Sequence, residues 1–590
     1  MSVVAAAPSV ATPSGPTERF LADKRTLQFK EAWPYIDGSD PQWRPRYQQL
    51  LGLEALFPSL PNNNFPFGGT FSFPQNRNQV LEGFPPPQVV STLIQSYFST
   101  FESTHRLVYR QEFADELNAF WINNAQLSEE WLAQFSMMLA LGCQAAPGRA
   151  LASTGRTVED WTDMFLDAAQ FFLGRSPYFA APTLTTLRTL CLAAIARMME
   201  IVKGGDMSHL VVLMGYVSRL ALTMELHRKT SLFPDMSPFE AEMRKRIWVT
   251  VQLLDLDVAM RTGTSYLYRE QDADIPLNIN DTDFHRTEHG WILQARWAAP
   301  GVLTDSSFQI KLAGLLPLLT NAINAVNSPT RPPIEQEKLR AWDSQLRQKL
   351  QDAESVLTKP PYGQADNLDR VNTQISFLRV LVHRTLLGLH YGYICALRAG
   401  QFRDSSMSVM QSSIALLRTQ HTWHMQSRSM AGSNRASTSS APGFLEPLEQ
   451  TAIPLSWLSD LCHDDFGVAI LHIILTIRRG DFDAIKQGGG LPSRTGASAI
   501  LRQSLELKRA RASRSIPHFR EYVGLSISAG CLQSIDSGEP MLQTLLEIAG
   551  QIEQTVIQSR QDLLWAQTNN PFSGQAELPP DPFGFVGFAQ

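Results

Sequence analysis

The stretch PFEAEMRKRIWVTVQLLD, residues 238–255, crowds five charged side chains into its first nine positions and then turns almost wholly apolar. Ser237 ahead of it, Pro238 and Glu240 make a helix start: a side-chain oxygen for the first free N–H groups, a fixed φ at the first helical position, and an acid three residues after the cap to complete a capping box. The spacing predicts a helix running to Gly263. Met243, Ile247, Val251, Leu254 and Val258 recur every three or four positions and form a stripe facing a partner helix or the core. Glu240 with Arg244 and Glu242 with Arg246 are i,i+4 pairs in the favourable order, each contributing about 0.2–0.5 kcal/mol when exposed. The charge cluster thus reads as the outer and inter-helical face of this helix. Asp255 falls on the apolar side, where an ionised carboxylate needs a cation or several donors. Arg219 on the preceding helix is its expected partner.

That preceding helix, GDMSHLVVLMGYVSRLALTMELHRK, carries a seam of Leu210, Met214, Val217, Ala221 and Met224, with His227, Arg228 and Lys229 placed to complement its negative end. Gly215 inside it costs about 1 kcal/mol relative to Ala, which implies the close approach of another helix. The two helices are expected to form an antiparallel hairpin.

Away from this centre the same three- and four-residue spacing continues, without convincing alternating strand patterns or Asn-Gly and Asp-Gly hairpin turns. The expected fold is all-α: a large multi-helix array of packed helical hairpins with disordered N- and C-terminal tails. Residues 1–85, rich in Pro, Gly, Asn and Phe, form a loop-rich, largely disordered segment; 86–290 are the core of one domain; 291–566 are a C-terminal helical part; 567–590 are a flexible tail. Residues 263–289 are an extended acidic connection, and the Ser-rich 426–446 a disordered, protease-sensitive loop. No fixed-period repeat is present.

A formal net charge of −5, with 44% hydrophobic and 18% charged residues, excludes both a wholly basic nucleic-acid binder and a disordered acidic chain. The beginning of the chain has no charged n-region followed by an apolar core, and its longest apolar runs fall well short of the roughly 20 residues that span a bilayer, so no membrane association is expected. The five cysteines, Cys143, Cys191, Cys395, Cys462 and Cys531, are too scattered for a zinc module and read as free thiols of a reducing compartment. No metal, cofactor or catalytic residue is assigned. His463 beside Asp464 and Asp465 has the residue types of a metal site, and Cys395 and Cys462 those of a nucleophile. Adjacent helical residues diverge, however, no histidine lies four positions after His463, and no H-E-x-x-H, G-x-S-x-G or P-loop pattern occurs. The HDD run reads as the acidic first turn of a helix.

The run from Gly215 to Asp281 resembles the regulatory, or middle homology, domain of fungal-specific transcription factors, the family of the fungal zinc-cluster activators. Four elements occur in the family's order. Gly215, Arg219, Leu226, His227 and Arg228 match one helix; Glu242, Arg244, Arg246, Trp248 and Asp255 match the next; Asp272, Asp274, Pro276, Asn278 and Asp281 match an acidic loop; and YFSTFESTHRLVYRQEF, Tyr97 to Phe113, matches the opening helix, turn and second helix. The resemblance covers residues 87–290 well. It departs at one point, since this chain has no cysteine before Cys143 and hence no six-cysteine zinc cluster and no zinc site.

The resemblance implies a nuclear regulator of RNA polymerase II genes, pathway- or gene-cluster-specific, acting through helix-mediated homo- or heterodimerisation. DNA contact would be weak and direct or through a DNA-binding partner protein; the short DKRTLQFK at 23–30 is too sparse for a basic arm. Gly215, Arg219, His227, Glu242, Arg244, Arg246, Trp248 and Asp255 are the expected structural and regulatory kernel. Lys508, Arg509, Arg511 and Arg514 form a candidate nuclear-targeting patch or a solvated helix face, and Glu577, Asp581, Phe583, Phe585 and Phe588 a candidate activation segment. A cytosolic helical scaffold and an unrecognised enzyme are the alternatives.

Overall fold

In the computed structural model the Ser237 Oγ accepts the Glu240 N–H at 3.1 Å, Pro238 opens the helix, and Gly263 closes it with φ 67°. The capping box is half made: the Glu240 carboxylate turns to Arg244. The structure describes residue 35 and, apart from short breaks, residues 38–432, 455–478 and 491–568. The 23–30 stretch and the acidic-aromatic residues from 577 onward lie outside the described residues.

The longer helices in chain order are α1 (Pro87–Ser99), α2 (Arg110–Asn123), α3 (Glu129–Ala145), α4 (Val158–Arg175), α5 (Leu184–Met198), α6 (Met207–Thr223) and α7 (Pro238–Thr262), then α8 (Ser307–Val326), α9 (Gln336–Leu357), α10 (Leu368–Ala396), α11 (Arg403–Gly432), α12 (His463–Arg478), α13 (Arg494–Arg509), α14 (Ile516–Ser537) and α15 (Met541–Thr568). Short helices at Arg44–Gly52, Arg77–Glu82, Phe101–His105 and Ser456–Leu461 fill the corners. Neighbours in sequence are mostly neighbours in space: α3 with α4, α6 with α7, α10 with α11, α14 with α15. Among the described residues the all-α expectation holds, with one exception. Phe284–Thr287 (β1) and Gly290–Leu293 (β2) pair antiparallel, Phe284 opposite Leu293 and Thr287 opposite Gly290, whose φ is 109°. Its turn lacks the Asn-Gly or Asp-Gly dipeptide that announces a tight hairpin.

The predicted stripe of α7 is buried, but so is nearly every other residue of the helix from Arg246 to Thr262, including Trp248, Leu253 and Leu256. A helix buried on all sides is a central axis, surrounded here by α5, α6 and α8. One continuous apolar cluster takes side chains from Trp43 to Val556, so residues on either side of 290 share a core. Gly215 has no atom within 4 Å of where a Cβ would stand, and the expected close approach does not occur there. It occurs at Gly142 of α3, where an added Cβ would meet the Leu93 carbonyl oxygen of α1 at 2.3 Å. The expected disorder of 426–446 is also corrected in part, because α11 continues to Gly432, extending from a buried stem of Met410, Leu417 and Trp423.

Candidate regulatory kernel around the central helix

Glu242 and Arg246 lie one turn apart on α7, and the segment Leu277–Asp281 folds across them. That crossing removes both from water: Glu242 is 0% exposed and Arg246 2%. The cluster expected on the outside of the helix is therefore largely inside. Arg246 donates Nε to Glu242 at 3.2 Å, Nη1 to Asp281 at 2.7 Å and Nη2 to the Ser306 hydroxyl at 3.0 Å, and its guanidinium lies 5.8 Å from the centre of the Phe284 ring. Both Glu242 oxygens accept the Leu277 N–H at 3.1 Å. Burial still pushes the Glu242 carboxyl up, against the pull of Arg246.

Asp281 is the hub. One carboxylate oxygen takes Arg246 and also Arg106 at 2.5 Å; the backbone N–H donates to Asp305 at 3.0 Å, and the backbone carbonyl accepts the Tyr109 hydroxyl at 2.9 Å. Burial alone would raise its pKa, but the two guanidiniums overcome that and hold it well below the carboxylate range. Arg106 sits in the turn between the Phe101–His105 helix and α2 with φ 27°, a conformation L-residues rarely adopt. Asp305 passes the network on to Arg370 of α10 at 2.9 Å. A layer of alternating charge thus joins the opening turn, α7, the acidic loop and α10.

Arg244, the half-exposed member, donates to Glu240 at 3.1 Å and to the Met224 carbonyl at 2.7 Å, just beyond the end of α6. It thereby satisfies a free carbonyl at that helix terminus and closes the α6–α7 hairpin. His227 lies beyond α6 rather than in its last turn; its ring stands 6.3 Å from that of Trp248, which packs edge-on against Tyr268 at 4.7 Å.

The pairing of Arg219 with Asp255 is not formed. Arg219 is on the exposed side of α6, and Asp255 accepts the Leu267 N–H at 2.9 Å beside Tyr266 and Tyr268. Burial pushes the Asp255 carboxyl up to about 7, so near-neutrality takes the place of a counter-ion. The cations instead gather two residues further on. Asp257 is shared by Arg261 at 2.9 Å and Arg384 of α10; Arg261 reaches Asp464 at 2.7 Å and the Leu461 carbonyl, and Arg384 reaches Asp465 at 2.7 Å.

This second layer ties α7 to α10 and α12, and it explains the HDD run. Asp464 and Asp465 do occupy the first turn of a helix, but they are buried and engaged by guanidiniums from elsewhere in the chain. His463 lies against Glu200 and His518, residues far from it in sequence. Cys462 is buried, and burial raises its thiol well above the ordinary range, the reverse of an activated nucleophile.

The basic stretch near 508 is likewise drawn inward. Lys508 is 3% exposed and holds Glu521 at 2.7 Å and the His463 carbonyl at 2.7 Å; Arg511 pairs with Asp460 at 2.5 Å and is largely covered. Arg509 and Arg514 remain exposed, so the four cations do not form one solvent-facing patch. Beside Arg244 and Lys245 there is a cleft of about 10 Å³, room for one water and no ligand. A larger open groove of about 900 Å³ runs between α13 and α15 past Glu506, Arg509 and Glu553, away from the kernel. Glu242, Arg246 and Asp281 are thus paired with one another and with Arg106 and Ser306.

Residues 94–353 match the model of the fungal specific transcription factor domain. Among similar proteins are transcription factor opdR of Penicillium oxalicum, 29% identical over 54% of this chain and 40% of the relative, and the fusarisetin A cluster transcription factor fsa6 of a Fusarium species, 30% identical over 36% of this chain and 29% of the relative. Transcription factor lepE of Aspergillus flavus is 26% identical over 53% and 36%. The chain spans 40% or less of the length of these three relatives. No helix among the described residues is long and apolar enough to cross a membrane.

Proposed function

We propose that this chain is a nuclear, pathway-specific regulator of transcription that works through its helical domain and carries out no chemistry of its own. The observation that carries the reading is the match of residues 94–353 to the fungal specific transcription factor domain, in register with the kernel: Glu242, Arg246 and Asp281 all fall within it. The cluster-specific names of relatives such as the fusarisetin A and equisetin cluster factors support control of a single gene cluster. The buried pairing of Glu242 and Arg246, extended to Asp281, supports a mechanical role. A change at the 277–281 segment would move Arg246 and, through Asp305 and Arg370, α10. DNA is reached directly or through a DNA-binding partner, and dimerisation is helix-mediated.

The test is chromatin crosslinking with a tagged chain expressed from its own locus. Enrichment at a small set of promoters is expected, and the purified protein on those fragments across a salt series separates direct from partner-borne contact. Absence of enrichment in every condition where the protein is abundant would refute the reading in favour of a cytosolic scaffold or an enzyme.

A further inference from the structure

We propose that Glu200, His463 and His518 form a binding site for a single divalent transition metal of the zinc class. Three segments meet there. Glu200 follows the end of α5, His463 opens α12, and His518 lies in the first turn of α14. One potential ligand atom from each lies within 4.8 Å of the other two. The Glu200 carboxylate faces both rings, with Oε1 3.4 Å from His463 Nε2 and Oε2 3.0 Å from His518 Nδ1. Four-coordinate zinc with bonds of about 2.0–2.2 Å separates its ligands by about 3.3–3.5 Å, close to the two spacings between the Glu200 carboxylate and the rings.

The surroundings prepare the ligands. His463 Nδ1 is 3.0 Å from the Asp460 carbonyl, which can only accept, so that nitrogen carries a proton and Nε2 is the ring atom turned to the cluster. The Ser515 hydroxyl stands 2.7 Å from His518 Nδ1 and 3.2 Å from Glu200 Oε2, positioning ring and carboxylate together. The His518 Nε2 is buried without a hydrogen-bond partner among the described residues. Glu200 holds a φ of 56°, a strained conformation for a residue with a side chain, with its N–H on the Arg197 carbonyl at 3.0 Å.

Charge points the same way. Nearby cations have their own acceptors: Arg261 on Asp464, Lys508 on Glu521, Arg511 on Asp460. Glu200 faces the two imidazoles, and a dication at their centre would neutralise it. Two nitrogens and a carboxylate favour zinc, cobalt, nickel or copper over magnesium or calcium. Asp464 Oδ1, 3.3 Å from His463 Nε2, or a water would complete the shell, and the 30% exposure of the Glu200 side chain provides an entry path. Loading would clamp the end of α5 to α12 and α14.

The probe is cobalt(II), titrated into the full chain after chelator treatment and followed by visible absorption, with zinc as competitor. Saturation at one equivalent is expected, with affinity at least tenfold lower in His463→Gln and His518→Gln. His518→Cys should keep binding and add a thiolate-to-cobalt charge-transfer band, a gained signal that a merely unfolded variant would not give. X-ray absorption of the zinc-loaded native chain should count two imidazoles, which decides the matter if the variants do not fold. No saturable uptake, or uptake unchanged in His518→Gln with no new band in His518→Cys, would overturn the proposal.

Discussion

Replacing Arg246 by alanine isolates the cost of breaking the kernel. The guanidinium makes three polar contacts, to Glu242, Asp281 and Ser306, at 3.2, 2.7 and 3.0 Å. Asp281 keeps Arg106 after its removal. Glu242 does not fare as well: fully buried, it is left with the Leu277 N–H and with Lys245 at 4.0 Å. Stranding one member of a buried pair costs about 3–5 kcal/mol, most of it the desolvation of the charge that stays behind. Arg246→Ala should therefore lower the urea midpoint by that equivalent and speed hydrogen exchange at the Leu277 amide, whose acceptor loses its anchor. Glu242→Gln combined with Arg246→Met removes both charges while Gln still accepts from Leu277, so the double variant should be less destabilised than Arg246→Ala alone. A loss below about 1 kcal/mol, unchanged Leu277 protection, or a double variant as costly as the summed singles would refute the coupling argument.

Other substitutions test other parts of the description. The folded Asp255 carboxyl titrates at about 7 against about 3.9 in an unfolded chain, so the folded state binds its proton more tightly and stability falls as pH rises from about 4 to about 7. Asp255→Asn should gain on the native protein across that window, by an upper bound of about 4 kcal/mol at pH 8, and thermal midpoints that stay parallel between pH 5 and 8 would contradict this. Gly142→Ala, which drives a Cβ into the Leu93 carbonyl, should cost about 1–3 kcal/mol or more, whereas Gly215→Ala, with open space around it, should gain up to about 1 kcal/mol; equal shifts in melting temperature would refute the packing assignment. Arg511→Ala should lower the melting temperature by exposing the loss of Asp460, and Arg509→Ala should leave it within error, so a nuclear-import test that mutates Arg511 measures folding as well as targeting.

What could be read along the chain is what is decided locally. The start of the central helix at Ser237-Pro238-Glu240, its stop at Gly263 and the hairpin with the helix before it follow from capping chemistry and spacing within a few residues. The four-element resemblance was legible for a similar reason, since it is an order of local patterns. Burial and partner choice are not local. The sequence placed Glu242 and Arg246 one turn apart but could not show that residues 277–281 cross above them, which turns a surface pair into a buried one. Asp255 looked paired with Arg219 because both lie near the same hairpin; the rotation of α6 about its axis sends Arg219 to solvent and leaves Asp255 to protonation. Arg384 joins Asp257 from 127 positions away, and Glu200 and His518 reach His463 from opposite directions along the chain. Helix periodicity fixes which residues share a face, whereas the packing of separate helices decides which faces meet, and only that second choice brings distant charges and imidazoles within bonding distance.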